Sequence, residues 1–407
     1  MWPQKGRPRR RPGRVWKSDR SGAWTSREKS QEIAALKRHP CATPGHKRHD
    51  YGFLLGVSAM SLIRRLTLAF AAAMLLPSVA HAQPVQGQGA TFPSKVYETW
   101  ARAFEKAGGN AVAYKPTGSG DGIKQITARQ VDFGGTDAPL PPAELAKQHL
   151  VQIPMLVGGV VPVVNLPGLA APLQLSGELL AEIFMGKVKS WSDPRVAVLN
   201  PGVGLPALPV KRVVRAEKSG TSDGFSRYLA SASPSFKAEV GASQAPPWPG
   251  ETLKAEGNDG MVQTLRATPG AIAYVSYDRV LRDKLSAVKL RNAAGRFVLP
   301  SELGFRAAVL ESDMHRQGDD LATLLDRPGN EAWPITLTSF VLVDAEPPTA
   351  AKSIGTLKFL YWCFMHGDDL TRGTGFAPLP VSVQSRLAAR FTQIRPKDGQ
   401  LPAYQVF

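Results

Sequence analysis

The chain has 407 residues, 43% of them hydrophobic and 20% charged, too many for one small domain and apolar enough for sizeable cores. Its net charge of +17 suggests a polyanionic partner, but residues 1–82 hold 16 of the 50 basic and only 4 of the 33 acidic residues, which leaves +5 on residues 83–407. That mild balance gives no reason to expect nucleic acid.

Residues 1–59 are rich in Arg, Pro, Lys, Ser and Gly, with little apolar periodicity. They are expected to be a non-native or disordered basic extension, with Met60 as the true start. Cys41 lies near His39, His46 and His49, but no second cysteine completes a metal set, and no metal is expected. Residues 60–82 read as a signal peptide: Arg64 and Arg65 form the positive region, Leu66 to Leu76 the apolar core, and Ala80-His81-Ala82 the cleavage site. That core is too short to span a bilayer. Cleavage after Ala82 would leave a mature chain starting at Gln83, outside the cytoplasm. Two cysteines in all, Cys41 and Cys363, give no disulfide framework, and Cys363 in Tyr361–Met365 reads as a buried small hydrophobe.

Beyond residue 83, strand-like and helix-like segments alternate, which predicts an α/β protein. Strands are predicted at Ala111–Tyr114, Val131–Phe133, Gly158–Val164, Val210–Arg215, Ala271–Val275 and Ile335–Val343. Val96, Tyr97, Trp100, Ala101 and Phe104 recur at helical steps before a Gly108-Gly109 stop. Leu179, Leu180, Ile183 and Phe184 do the same behind Ser176 as N-cap. Residues 199–209, rich in proline and glycine, read as a surface loop.

Four segments place glycines and small hydroxyl residues where a strand or loop enters a helix: 89–94, 117–122, 134–139 and 215–222. Any one of them is ordinary capping. Together they offer what a tetrahedral oxyanion requires, namely convergent donors at helix N-termini and close backbone approach. Ser119, Ser219 and Thr221 supply hydroxyls, and Arg215 a charge-assisted fork. Asp137 is the odd member, since a carboxylate repels a fully ionised anion.

In this order and spacing the segments resemble the periplasmic phosphate-binding proteins of high-affinity phosphate ABC transporters. The motifs that carry the resemblance are Gly87–Pro93, Val131–Leu140, Gly257–Gly260, Pro269–Val275 and Ala332–Thr336. It implies a type II periplasmic-binding fold, two α/β lobes joined by a two-stranded hinge, with lobe one at 83–157 and 334–407 and lobe two at 158–333. It also implies phosphate ligands at Thr91, Phe92, Ser119, Asp137, Arg215, Ser219, Gly220 and Thr221, with Glu217 pairing with Arg215. Asp137 would accept the proton that phosphate keeps near neutral pH and sulfate lacks. The partners implied are inorganic phosphate and the membrane permease, with the chain acting as a monomer and without a cofactor. One departure is Asp121, in the first turn after Ser119, expected to point to solvent. The alternatives are a binder of another tetrahedral oxyanion or a serine hydrolase built on Ser219 or Ser222. The hydrolase lacks a Gly-x-Ser-x-Gly elbow, and His149, His315 and His366 sit in no site context.

Overall fold

A computed structural model describes residues 84–400. The signal peptide, the basic extension and Cys41 lie outside the described residues. Among the described residues, no helix is long and apolar enough to cross a membrane.

The first strands are β1 (Val85–Gly89), β2 (Val112–Pro116) and β3 (Phe133–Thr136). β1 pairs in parallel with both neighbours, and helices Ser94–Lys106 and Ser119–Thr127 connect them. Helix Ser94–Lys106 buries the five residues that its sequence spacing singles out, Val96, Tyr97, Trp100, Ala101 and Phe104. β1 is not among the predicted strands, because its Val-Gln-Gly-Gln-Gly sequence is poor in strand formers. Gly87 is nonetheless required there: a Cβ on it would stand 2.1 Å from the Phe133 ring.

β4 (Leu150–Val164) begins eight residues before the predicted strand and is buried along its whole length. The strands that follow are β5 (Gln174–Leu175), β6 (Lys211–Arg215), β7 (Leu253–Ala255), β8 (Ala271–Ser276), β9 (Ser286–Ala287), β10 (Lys289–Arg291), β11 (Phe297–Val298), β12 (Thr336–Asp344) and β13 (Phe376–Pro378). The main sheet runs β2-β1-β3-β12-β4-β8-β6-β7, with β13 and β9 also pairing with β4. β5, β10 and β11 form a small second sheet.

β4 is shared. Leu150–Gly159 pairs antiparallel with β12, and Val160–Val164 with β8. Trp333, fully buried, donates from Nε1 to the Val160 carbonyl (3.0 Å) where the pairing changes hands. Both expected lobes lie within one compact unit, Val79–Phe407.

Ser176 caps helix Gly177–Phe184 by accepting from Leu179 N–H (3.2 Å). Residues 199–209 are irregular after Leu199, which ends helix Pro194–Leu199. Cys363 is buried in the 22-residue helix Ala350–Thr371, and burial pushes its thiol pKa well up.

Candidate functional site

Three strand ends feed three helix N-termini in one place. β1 leads through Thr91 and Phe92 into helix Ser94–Lys106, β2 leads into helix Ser119–Thr127, and β6 ends at Arg215 before helix Gly220–Ala232. Helix N-termini present free N–H groups and the positive end of the dipole, so this convergence favours an anion. Asp137 follows β3 directly.

Ser119, Asp137 and Gly220 are in contact. The Asp137 N–H donates to Ser119 Oγ (3.2 Å), and both residues are buried. Gly220 presses so closely on them that a Cβ would lie 2.4 Å from Ser119 Oγ and 2.8 Å from Asp137 Cβ. Nearby, Gly120 N–H donates to the Lys218 carbonyl (3.2 Å), which ties the 117–122 segment to the 215–222 segment.

Arg215 carries the positive charge. Its Nε donates to Glu217 Oε1 (2.7 Å), and its NH2 donates to Thr91 Oγ1 (2.9 Å) and to Glu217. The Gly257 N–H also donates to Glu217 Oε1 (3.2 Å), so the carboxylate is fixed from two sides. The arginine side chain is only 1% exposed, and its NH1 has no hydrogen-bond partner among the described residues. A buried guanidinium nitrogen left unpaired is costly.

Ser219, Gly220 and Thr221 are all buried at the start of their helix. Ser219 Oγ accepts from Ser222 N–H (3.3 Å), which leaves its own proton free to donate. Phe92 is buried, with its ring edge-on to Phe376 at 5.1 Å, which anchors the backbone turn after β1. A cavity of about 880 Å³ opens beside Thr91, Glu217 and Asn258.

Burial raises the Asp137 pKa to about 7, against the opposing pull of a Ser339 hydrogen bond and the Arg215 charge. Asp121 departs from its expected place in solvent. It is half-buried and accepts from Thr117 Oγ1 (2.6 Å), Gln88 and Gln125. Burial alone would raise its pKa, but these donors and Lys124 outweigh it and hold the carboxyl below its usual range.

Several neighbours are invisible to the sequence reading. Ser339 donates to Asp137 Oδ1 (2.8 Å) across 202 residues of chain. Asn258 Nδ2 reaches Thr91 Oγ1 (3.4 Å), and Tyr274 OH accepts from Arg215 N–H (3.3 Å). Asn258 and Tyr274 fall inside motifs that carry the resemblance, although their residue types alone assign them no role. For a hydrolase the geometry is poor: Ser222 Oγ meets Tyr274 OH (2.7 Å), while His149 pairs with Glu346 and His366 packs on Trp362.

The PBP superfamily domain profile matches residues 77–365. The chain is 39% identical over 317 residues to the phosphate-binding protein PstS of Haemophilus influenzae, covering 77% of this chain and 93% of the relative. It belongs to the PstS family of phosphate-binding proteins. A second PstS relative, from Pasteurella multocida, is 38% identical over 78% of this chain and 93% of its own. Among solved structures, the phosphate binding protein from Stenotrophomonas maltophilia aligns with a TM-score of 0.61 at 22% identity, over 76% of this chain and 94% of that one. A high affinity periplasmic phosphate-binding protein bound with phosphate aligns at 0.59 and 21% identity, over 75% and 93%. The chain thus has the type II periplasmic-binding fold.

Proposed function

We propose that the chain captures inorganic phosphate between the loops described above and delivers it to the membrane permease of a phosphate ABC transporter. The observation that carries this reading is Arg215: buried, held by Glu217 and Thr91, and left with an NH1 that has no hydrogen-bond partner among the described residues. Relatives named for phosphate binding support it. Thr91, Phe92, Ser119 and Asp137 would grip the anion from a lobe made of 83–157 and 334–407. Arg215, Ser219, Gly220 and Thr221 would grip it from a lobe made of 158–333. Phosphate binds the closed arrangement better and so draws the two together. The chain works as a monomer and binds without turnover.

Asp137 gives the site its selectivity. An ionised Asp137 accepts the proton of phosphate and repels sulfate, which has none. Calorimetric titration of residues 83–407 should show one phosphate per chain and exclusion of sulfate. Asp137→Asn should narrow the preference for phosphate over sulfate by about ten- to a hundred-fold, the worth of one buried charge-assisted hydrogen bond. If sulfate stays as strongly excluded in that variant, the discriminating role belongs elsewhere.

Capture would take place in the periplasm after export. The Arg64-Arg65 pair, apolar core and Ala80-His81-Ala82 site give a mature terminus at Gln83. Sequencing the N-terminus of the native protein should return Gln83, and peptides from residues 1–50 in the mature protein would refute cleavage.

A further inference from the structure

Ser339 lies on β12, fully buried, in a strand that also buries Thr336 and Thr338. The pairing of β12 with β4 slips at this point: Ser339 sits opposite Leu156 and Phe340 opposite Pro154, so Met155 is an extra residue. On its other edge β12 pairs with β3, where Phe340 stands opposite Thr136, the residue before Asp137. That register puts Ser339 level with Asp137, and its hydroxyl donates to Asp137 Oδ1 at 2.8 Å. Among the described residues, Asp137 Oδ2 accepts no hydrogen bond.

We infer that Ser339 is the positioning residue that sets the selectivity of the anion site, by holding Asp137 through Oδ1 so that Oδ2 faces the ligand as an ionised acceptor. The inference rests on the phosphate reading above. A hydroxyl that donates to a carboxylate favours its ionised form, and a buried carboxyl without such a donor keeps its proton. A protonated Asp137 is a donor instead of an acceptor, and a donor welcomes sulfate. Ser339 would thus decide at what pH the site stops telling the two anions apart.

The other groups around Asp137 do not duplicate this role. Arg215, at the end of β6, also favours the ionised carboxylate, but its Nε and NH2 are engaged by Glu217 and Thr91 and it makes no hydrogen bond to Asp137. Tyr97 and Tyr114 feel the charge of Asp137 from helix Ser94–Lys106 and β2. The Tyr97 hydroxyl lies near Ser339 without completing a hydrogen bond. Asp223 and Arg227, across a cavity of about 320 Å³ that Asp137 also lines, are paired with each other at 2.5 Å.

The test counts protons. Phosphate titrations in two buffers of different ionisation enthalpy, repeated from pH 5 to 9, give the protons exchanged on binding as a function of pH. Ionisation of phosphate itself contributes equally in parent and variant, so any difference between them reports the protein. In Ser339→Ala the Asp137 inflection should move up by about one pH unit or more. Sulfate should then compete with phosphate at a correspondingly higher pH. Ser339→Thr keeps the hydroxyl and should restore the parent profile. In an Asp137→Asn background, Ser339→Ala should change nothing, which separates coupling through Asp137 from a general loss of packing. A Ser339→Ala profile that overlays the parent overturns the assignment while leaving phosphate binding intact. Absence of phosphate binding by the parent overturns the phosphate reading, and the role of Ser339 with it.

Discussion

Arg215→Ala should weaken phosphate binding by roughly thirty-fold to several thousand-fold, the usual cost of truncating one partner of a buried, hydrogen-bonded charge pair. The arginine makes two contributions that fall together. It is the fork with a free NH1, and it is the counter-charge of Glu217, which also takes the Gly257 N–H. Without it, Glu217 becomes an uncompensated negative charge facing the incoming anion. Sulfate and arsenate should lose affinity as steeply as phosphate, which separates this variant from Asp137→Asn. Titration of all three anions at fixed salt checks it. A variant that loses phosphate affinity less than about ten-fold would place the main anion contact elsewhere.

Gly220→Ala should be nearly as damaging for a different reason. The added methyl meets Ser119 Oγ at 2.4 Å, Asp137 Cβ at 2.8 Å and Asp137 N at 2.9 Å, and two of those atoms cannot swing aside. The segments that meet at Gly220 would be held apart, and the donors they bring together would no longer converge. A loss of about a hundred-fold or more in phosphate affinity is expected, since misplaced donors leave buried polar groups unsatisfied. Thermal unfolding without phosphate should change little, because alanine suits a helix better than glycine. The gain in melting temperature on adding phosphate should shrink sharply. Equal phosphate affinity in parent and variant would mean that the close approach at Gly220 is unimportant to binding.

Much of this site is legible in the sequence, because its chemistry sits at strand-to-helix junctions. Gly118-Ser119, Thr136-Asp137 and Ser219-Gly220 advertise themselves by being small, polar and placed at element ends. Helix Ser94–Lys106 is legible for the complementary reason, a single apolar stripe. What stays hidden depends on distant partners. β1 is a strand because it pairs with β2 and β3 on its two edges, which its own residues do not reveal. The first half of β4 contains Gln152 and Pro154, which break the apolar run. Gln152 Oε1 is there to accept from Leu140 N–H at 2.9 Å. Helix Ala350–Thr371 buries residues around much of its circumference, so it shows no one-sided stripe. Ser339 is one of three hydroxyl residues in its strand, and what singles it out is a partner 202 residues away.

β4 changes partners at Gly158-Gly159, and both glycines are walled in by aromatic rings. A Cβ on Gly158 would strike Phe376 at 2.6 Å, and one on Gly159 would strike Phe305 at 2.3 Å and Trp333 at 3.0 Å. Where β4 changes partners, the room for side chains is therefore taken by rings from three distant parts of the chain, and a methyl at either glycine would have to push those rings out of the core.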